Sequence, residues 1–174
     1  MKITDALRGE HGVFYAQFTL MQNTVDAATL NTIQTQGAML AVALGSHAQI
    51  EDEILFPALE AEIGEHGPTR VMREEHVHIE ELLMQLQLRQ LPQLQTVREL
   101  TQAHDDIEGK LAQLPDVTSV DDARTMVYDL LYAAREHFAK EENVLFPLAE
   151  QLLSARALEE LGAQWAERRG VVLA

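Results

Sequence analysis

Two histidines in this chain are each followed four residues later by a glutamate and eight residues later by the same tripeptide. His47 precedes Glu51 and Leu55-Phe56-Pro57, and His137 precedes Glu141 and Leu145-Phe146-Pro147. On a helix, residues four apart share a face, so each pair offers an imidazole nitrogen and a carboxylate oxygen to one point. Two further histidines, His11 and His76, each follow a glutamate and fall on apolar helical stripes. Imidazole and carboxylate together are the donors of iron, manganese and zinc sites. The sequence has no cysteine, which removes thiolate ligands, iron-sulfur clusters and disulfides. Burying two carboxylates without a metal costs several kcal/mol apiece, and the only compensating bases nearby are the same histidines.

The motifs belong to an internal repeat. RGEHGVFYAQF from Arg8 aligns with REEHVHIEELL from Arg73, pairing His11 with His76. HAQIEDEILFPALE from His47 aligns with HFAKEENVLFPLAE from His137, pairing Glu51 with Glu141. The first and second histidines are 36 residues apart in one half and 61 in the other, so roughly residues 92–116 read as an insertion. Two such hairpins bring four histidines and two carboxylates together around a pseudo-twofold axis.

Helices must position these residues. Leu, Ala, Glu and Gln prevail over Val, Ile and Thr, and apolar residues recur at three and four. The predicted segments are 4–25, 28–62, 68–92 and 93–114, then one opening after the capping signals Thr118-Ser119 and Asp121-Asp122, and a tail helix at 154–169 with Trp165. Gly64 and Gly67-Pro68 stop the second segment. The stripe of the fifth runs through Ala134, His137, Glu141, Val144 and Leu148. The expected fold is all-α: an antiparallel four-helix bundle with an extra helical insertion at about 92–116 and a short C-terminal helix, one domain over residues 1–174.

The 13 Lys plus Arg against 28 Asp plus Glu give a formal charge of −15, which disfavours nucleic acid or an anionic membrane as partner. No apolar run reaches the ~18–20 residues of a membrane span, and the charged N-terminus does not read as a signal peptide. A cytoplasmic location is the expectation.

In these residues the chain resembles the hemerythrin-like family, specifically its HHE cation-binding branch, over residues 7 to about 152. The resemblance implies two iron ions in an oxo- or hydroxo-bridged centre, with His11, His47, His76 and His137 as terminal ligands and Glu51 and Glu141 bridging. The family's oxygen carriers have two histidines four apart on the third helix and an aspartate five after the last histidine. Here Glu80 stands four after His76 and Glu141 four after His137, which sets the chain nearer the HHE branch and makes Glu80 a candidate seventh ligand. Ferritin-like centres use Glu-x-x-His, the reverse order. The implied function is a non-haem di-iron protein that binds O2, NO or peroxide for sensing, stress defence or detoxification, with peroxide decomposition as the expected redox activity. The alternatives are an iron donor in iron-sulfur cluster repair, oxygen storage, or a bundle whose histidines only order the core. A protein partner is expected if it is a sensor.

Other residues bear on the site. His104, with Glu108 four residues on, mimics the ligand pattern but falls in the insertion. His66 and His78 read as solvent-facing. Tyr15, one turn after His11, reads as core packing rather than a hydrogen-bond donor to the centre. Phe14, Phe18, Phe56, Phe138 and Phe146 read as a dry wall around the centre. Glu53, Glu142 and Asp105-Asp106 read as solvated surface.

Overall fold

The computed structural model describes residues 1–87 and 119–172. The expected insertion, including His104, Glu108 and Asp105-Asp106, lies outside the described residues. Helix α1 spans Ile3–Thr24 and ends in a tight turn, Val25–Ala27. Helix α2 (Leu30–Ile50) leads into α3 (Phe56–Ile63), and α4 covers Pro68–Gln87. Helix α5 (Val120–Lys140) leads into α6 (Phe146–Leu152), followed by α7 (Ala155–Arg169). Among the described residues there is no strand, and no helix is long and apolar enough to cross a membrane.

Local chemistry sets the boundaries. Thr29, Ser119 and Ser154 are N-caps whose hydroxyls accept from the backbone N–H three residues on, at 3.2, 3.0 and 3.1 Å. Gly64 ends α3 with φ of 79°, a conformation that costs a Cβ-bearing residue.

Helices α1, α2, α4 and α5 form the bundle, with α4 packed on both α2 and α5. Contacts along α1 with its closing turn and along the continuous run from α5 through α6 follow opposite order: Arg8 pairs with Glu150, His11 with Glu142, and Val25 with Arg124. The two helices are therefore antiparallel. The fifth element, α7, crosses the N-terminus of α1, where a Cβ on Gly162 would collide with the Met1 carbonyl.

The uninterrupted helices predicted through both His-x-x-x-Glu motifs are each broken by a π turn, Glu51–Leu55 and Glu141–Leu145. Pro57 and Pro147 have no N–H for the carbonyl four residues back, and their rings would collide with it. The backbone widens instead, so that Phe56 N–H donates to the Glu51 carbonyl and Phe146 N–H to the Glu141 carbonyl, five residues back. The extra residue rotates the stripe beyond it. Val144, expected inside, is 55% exposed, and Leu145 takes its place in the core.

Two apolar layers result. One is built around Phe14, Phe18, Leu83, Leu130 and Phe138, the other around Leu7, Ile50, Phe56, Met72 and Phe146. The histidines and glutamates lie between them.

Candidate metal centre

The bundle brings His11, His47, His76, His137, Glu51 and Glu141 together, all buried. Among the described residues they form two four-member groups, and both carboxylates belong to both. His11 and His47 complete one group, His76 and His137 the other. Every Nε2 faces inward. His11 Nε2 lies 3.3 Å from Glu141 Oε2, His137 Nε2 3.3 Å from Glu141 Oε1, and His47 and His76 Nε2 each 3.4 Å from Glu51 Oε2. His11 Nε2 and His47 Nε2 are 3.1 Å apart.

The outward nitrogens fix which way the lone pairs point. His47 Nδ1 lies 2.6 Å from Glu10, His11 Nδ1 2.8 Å from Glu142, His137 Nδ1 3.0 Å from Glu75, and His76 Nδ1 3.4 Å from Asp52. On His11, His47 and His137 a proton held on Nδ1 by a carboxylate leaves Nε2 bare. Bare nitrogens and carboxylate oxygens cannot bond one another. Both oxygens of Glu51 and of Glu141, both ring nitrogens of His76, and Nε2 of His137 are buried with no hydrogen-bond partner. Donors about 2.1 Å from one ion stand about 3.0–3.4 Å apart between right-angled and tetrahedral geometry, which is the spacing found here. The donor set fits a metal.

Protonation follows the same imbalance. Burial, and then the neighbouring Glu141 charge, push Glu51 well above the ordinary carboxylate range. Glu141, against its own burial, is held low by the imidazoles clustered around it, His137 first and then His11. Without a cation the site thus sustains one carboxylate charge, and a cation lets it sustain both. Burial keeps His47 below the ordinary histidine value, in the neutral form that ligation needs. Glu10, despite its burial, is lowered to about 2 by hydrogen bonds from His47 and Arg169.

Glu80 falls outside both groups and is exposed. After His76 the buried stripe of α4 continues through Ile79 and Leu83, three and seven residues on, and no π turn brings the fourth residue inward. His66 and His78 are exposed, as the pattern suggests. The five phenylalanines are all buried; the His11 ring stacks on Phe138 at 3.9 Å and His76 on Phe56 at 5.7 Å.

The outer acids are what the sequence reading missed. Glu142, expected on the solvated surface, is half-buried and holds His11. Tyr15 packs edge-on against Phe18 and Phe138 as expected, and burial and then the neighbouring Glu142 charge push its hydroxyl up from the ordinary tyrosine value. The signal was present in the repeat, which pairs Glu10 with Glu75 and Asp52 with Glu142.

A helical bundle whose core holds paired histidines and shared carboxylates is a metal-binding domain. The Hemerythrin HHE cation binding domain matches residues 2–99 and 95–172, and the chain belongs to that family. The first match supplies His11, His47, Glu51 and His76, the second His137 and Glu141, and all six meet in one cluster. The chain is also similar to a DNA nickase of Nostoc sp., 23% identical over 164 residues, covering 94% of this chain and 42% of the relative. It thus spans less than half the length of that relative. No solved structure matches it.

Proposed function

We propose that the chain is a non-haem di-iron protein that takes up O2, NO or peroxide at the His/Glu centre, in sensing, stress defence or detoxification. The supporting observation is the pair Glu51 and Glu141, four buried carboxylate oxygens without a protein donor, shared by two histidine pairs. Two cations balance that set better than one. His11 and His47 would hold the first ion, His76 and His137 the second, and Glu51 and Glu141 both. Imidazole with carboxylate and no thiolate suits iron, which when bound supplies one-electron chemistry and a coordination position open to a small ligand.

The chain's own part is to orient, exclude and admit. Glu10, Glu75 and Glu142 aim three of the imidazoles, and the phenylalanine layers keep bulk water out. A cavity of about 20 Å³ reaches His47, His76 and His137 past Gly45 and Glu80. That volume holds a molecule of water size and little more, which favours a diatomic or peroxidic ligand. The nickase activity named for the Nostoc relative belongs to a protein of which this chain spans 42%, and a charge of −15 repels a phosphate backbone.

Metal analysis of protein made under iron-replete conditions tests the reading, with the absorption spectrum taken before and after dithionite and O2. About two irons per chain with near-ultraviolet charge-transfer absorption is the expected result. One zinc and no iron would overturn it.

A further inference from the structure

The outer acids are themselves held, and one of them, Glu10, is held by an oxidisable ring as well as by a cation. Beside His76 and His137 the holders are cations: Arg73 Nη1 donates to Asp52 at 2.8 Å, and Lys140 Nζ donates to Glu75. Beside His47 an oxidisable ring joins the cation: Trp165 and Arg169 both donate to Glu10. Trp165 Nε1 donates to Glu10 Oε1 at 2.7 Å, and Glu10 Oε2 lies 2.6 Å from His47 Nδ1. One hydrogen-bonded path therefore runs from α7 to the outward nitrogen of a histidine whose Nε2 faces the centre. Trp165, the chain's single tryptophan, is half-buried at its outer end.

We propose that Trp165 is an electron donor to the centre, supplying the second electron when peroxide meets a centre that holds one ferrous iron. This rests on the di-iron reading. Reduction of H2O2 to two waters consumes two electrons and two protons. One electron comes from the ferrous iron, which becomes ferric; Trp165 gives the other and becomes an indole radical cation, and the protons come from solvent. The indole proton stays on Nε1, in its bond to a carboxylate that Arg169 fixes at 2.7 and 2.9 Å. The negative charge of Glu10 then stands beside the new positive charge. Without that electron, O–O cleavage by one electron releases hydroxyl radical. Tyr15 is the poorer donor, because a phenol sheds its proton on oxidation and the Arg135 guanidinium, 5.9 Å from its ring, opposes positive charge there.

The experiment uses the iron-loaded full chain, reduced by one electron per centre with dithionite, mixed with one equivalent of H2O2 and freeze-quenched for electron paramagnetic resonance. A spin trap monitors escaping hydroxyl radical in parallel. The parent protein should give an indole radical, and metal-free protein none. Trp165→Phe should keep its iron and its ferric spectrum, lose the radical signal and release several-fold more trapped hydroxyl radical. Trp165→Tyr, which can still donate to Glu10, should give a tyrosyl signal and suppress the escape. Unchanged radical and trap yields in Trp165→Phe, or loss of iron from it, would overturn the proposal while leaving the di-iron reading intact. Absence of iron from the parent protein would overturn both.

Discussion

Glu142 Oε1 lies 2.8 Å from Nδ1 of His11, across the pseudo-twofold axis from its own half of the repeat. Its repeat equivalent Asp52 faces His76 Nδ1 at 3.4 Å in the same crosswise sense. Glu10 and Glu75 instead hold histidines of their own half, His47 and His137. Three imidazoles, those of His11, His47 and His137, are thereby aimed by a carboxylate one residue away from a ligand of another helix, and Asp52 stands in the same place beside His76. The two hairpins are tied to each other at the centre as well as through the apolar layers.

The outer acids should matter through orientation. Glu75→Gln and Glu10→Gln leave all six inner side chains in place, yet each should lower iron affinity about 10- to 100-fold. His47→Ala and His137→Ala remove a ligand and should lose both metal and thermal stability, because metal binding is coupled to folding. Competition with a chelator of known affinity measures the first effect. Parent-like affinity in Glu75→Gln would mean the acid does not aim the ring.

Glu51 should show opposite signs with and without metal. In the metal-free protein its carboxyl sits buried beside Glu141, and both burial and that charge disfavour ionisation. Glu51→Gln removes the conflict and should stabilise the metal-free protein by about 1–4 kcal/mol, while abolishing iron uptake. Thermal melts in chelator against melts in iron separate the two. A lower melting temperature in chelator would make Glu51 a structural hydrogen-bonding residue.

The inner six residues were legible because identity and spacing both repeat, and a helix turns spacing into direction. The fold followed from the same stripes. What escaped were features set by tertiary context. The π turns arise from Pro57 and Pro147 sitting six residues beyond a buried glutamate, and a uniform 3.6-residue period places Val144 inside and Leu145 out. Glu142 looks like surface charge on a helical wheel because its partner, His11, lies 131 residues away. Glu80 has the spacing of a ligand but lies in a helix that stays regular past His76.

Glu80 stands at the mouth of the small cavity, with its charge beside the route of an incoming ligand. Glu80→Ala should leave iron content and the ferric spectrum unchanged. Removing a negative charge should speed azide association by a factor of about two to five and leave NO association unaltered, since only the anion feels the field. Stopped-flow mixing with each ligand distinguishes them. Loss of iron or a shifted spectrum would show that Glu80 reaches the metal.

Gly45 lines the same cavity from the middle of α2, one turn before Ala48 and two residues before His47. A glycine inside a helix costs about 1 kcal/mol relative to alanine, so its presence there needs a reason. A Cβ at this position meets no atom within 4 Å, so packing does not demand glycine. What glycine leaves open is the way past Gly45 toward His47, His76 and His137. Gly45→Leu should therefore raise stability by roughly 0.5–1 kcal/mol through helix propensity. It should also narrow the cavity and slow the association of NO and azide alike, with iron content and the resting spectrum preserved. Thermal melts and stopped-flow kinetics on the same preparation read the two effects. Faster or unchanged association in the stabilised variant would show that ligands reach the centre by another route.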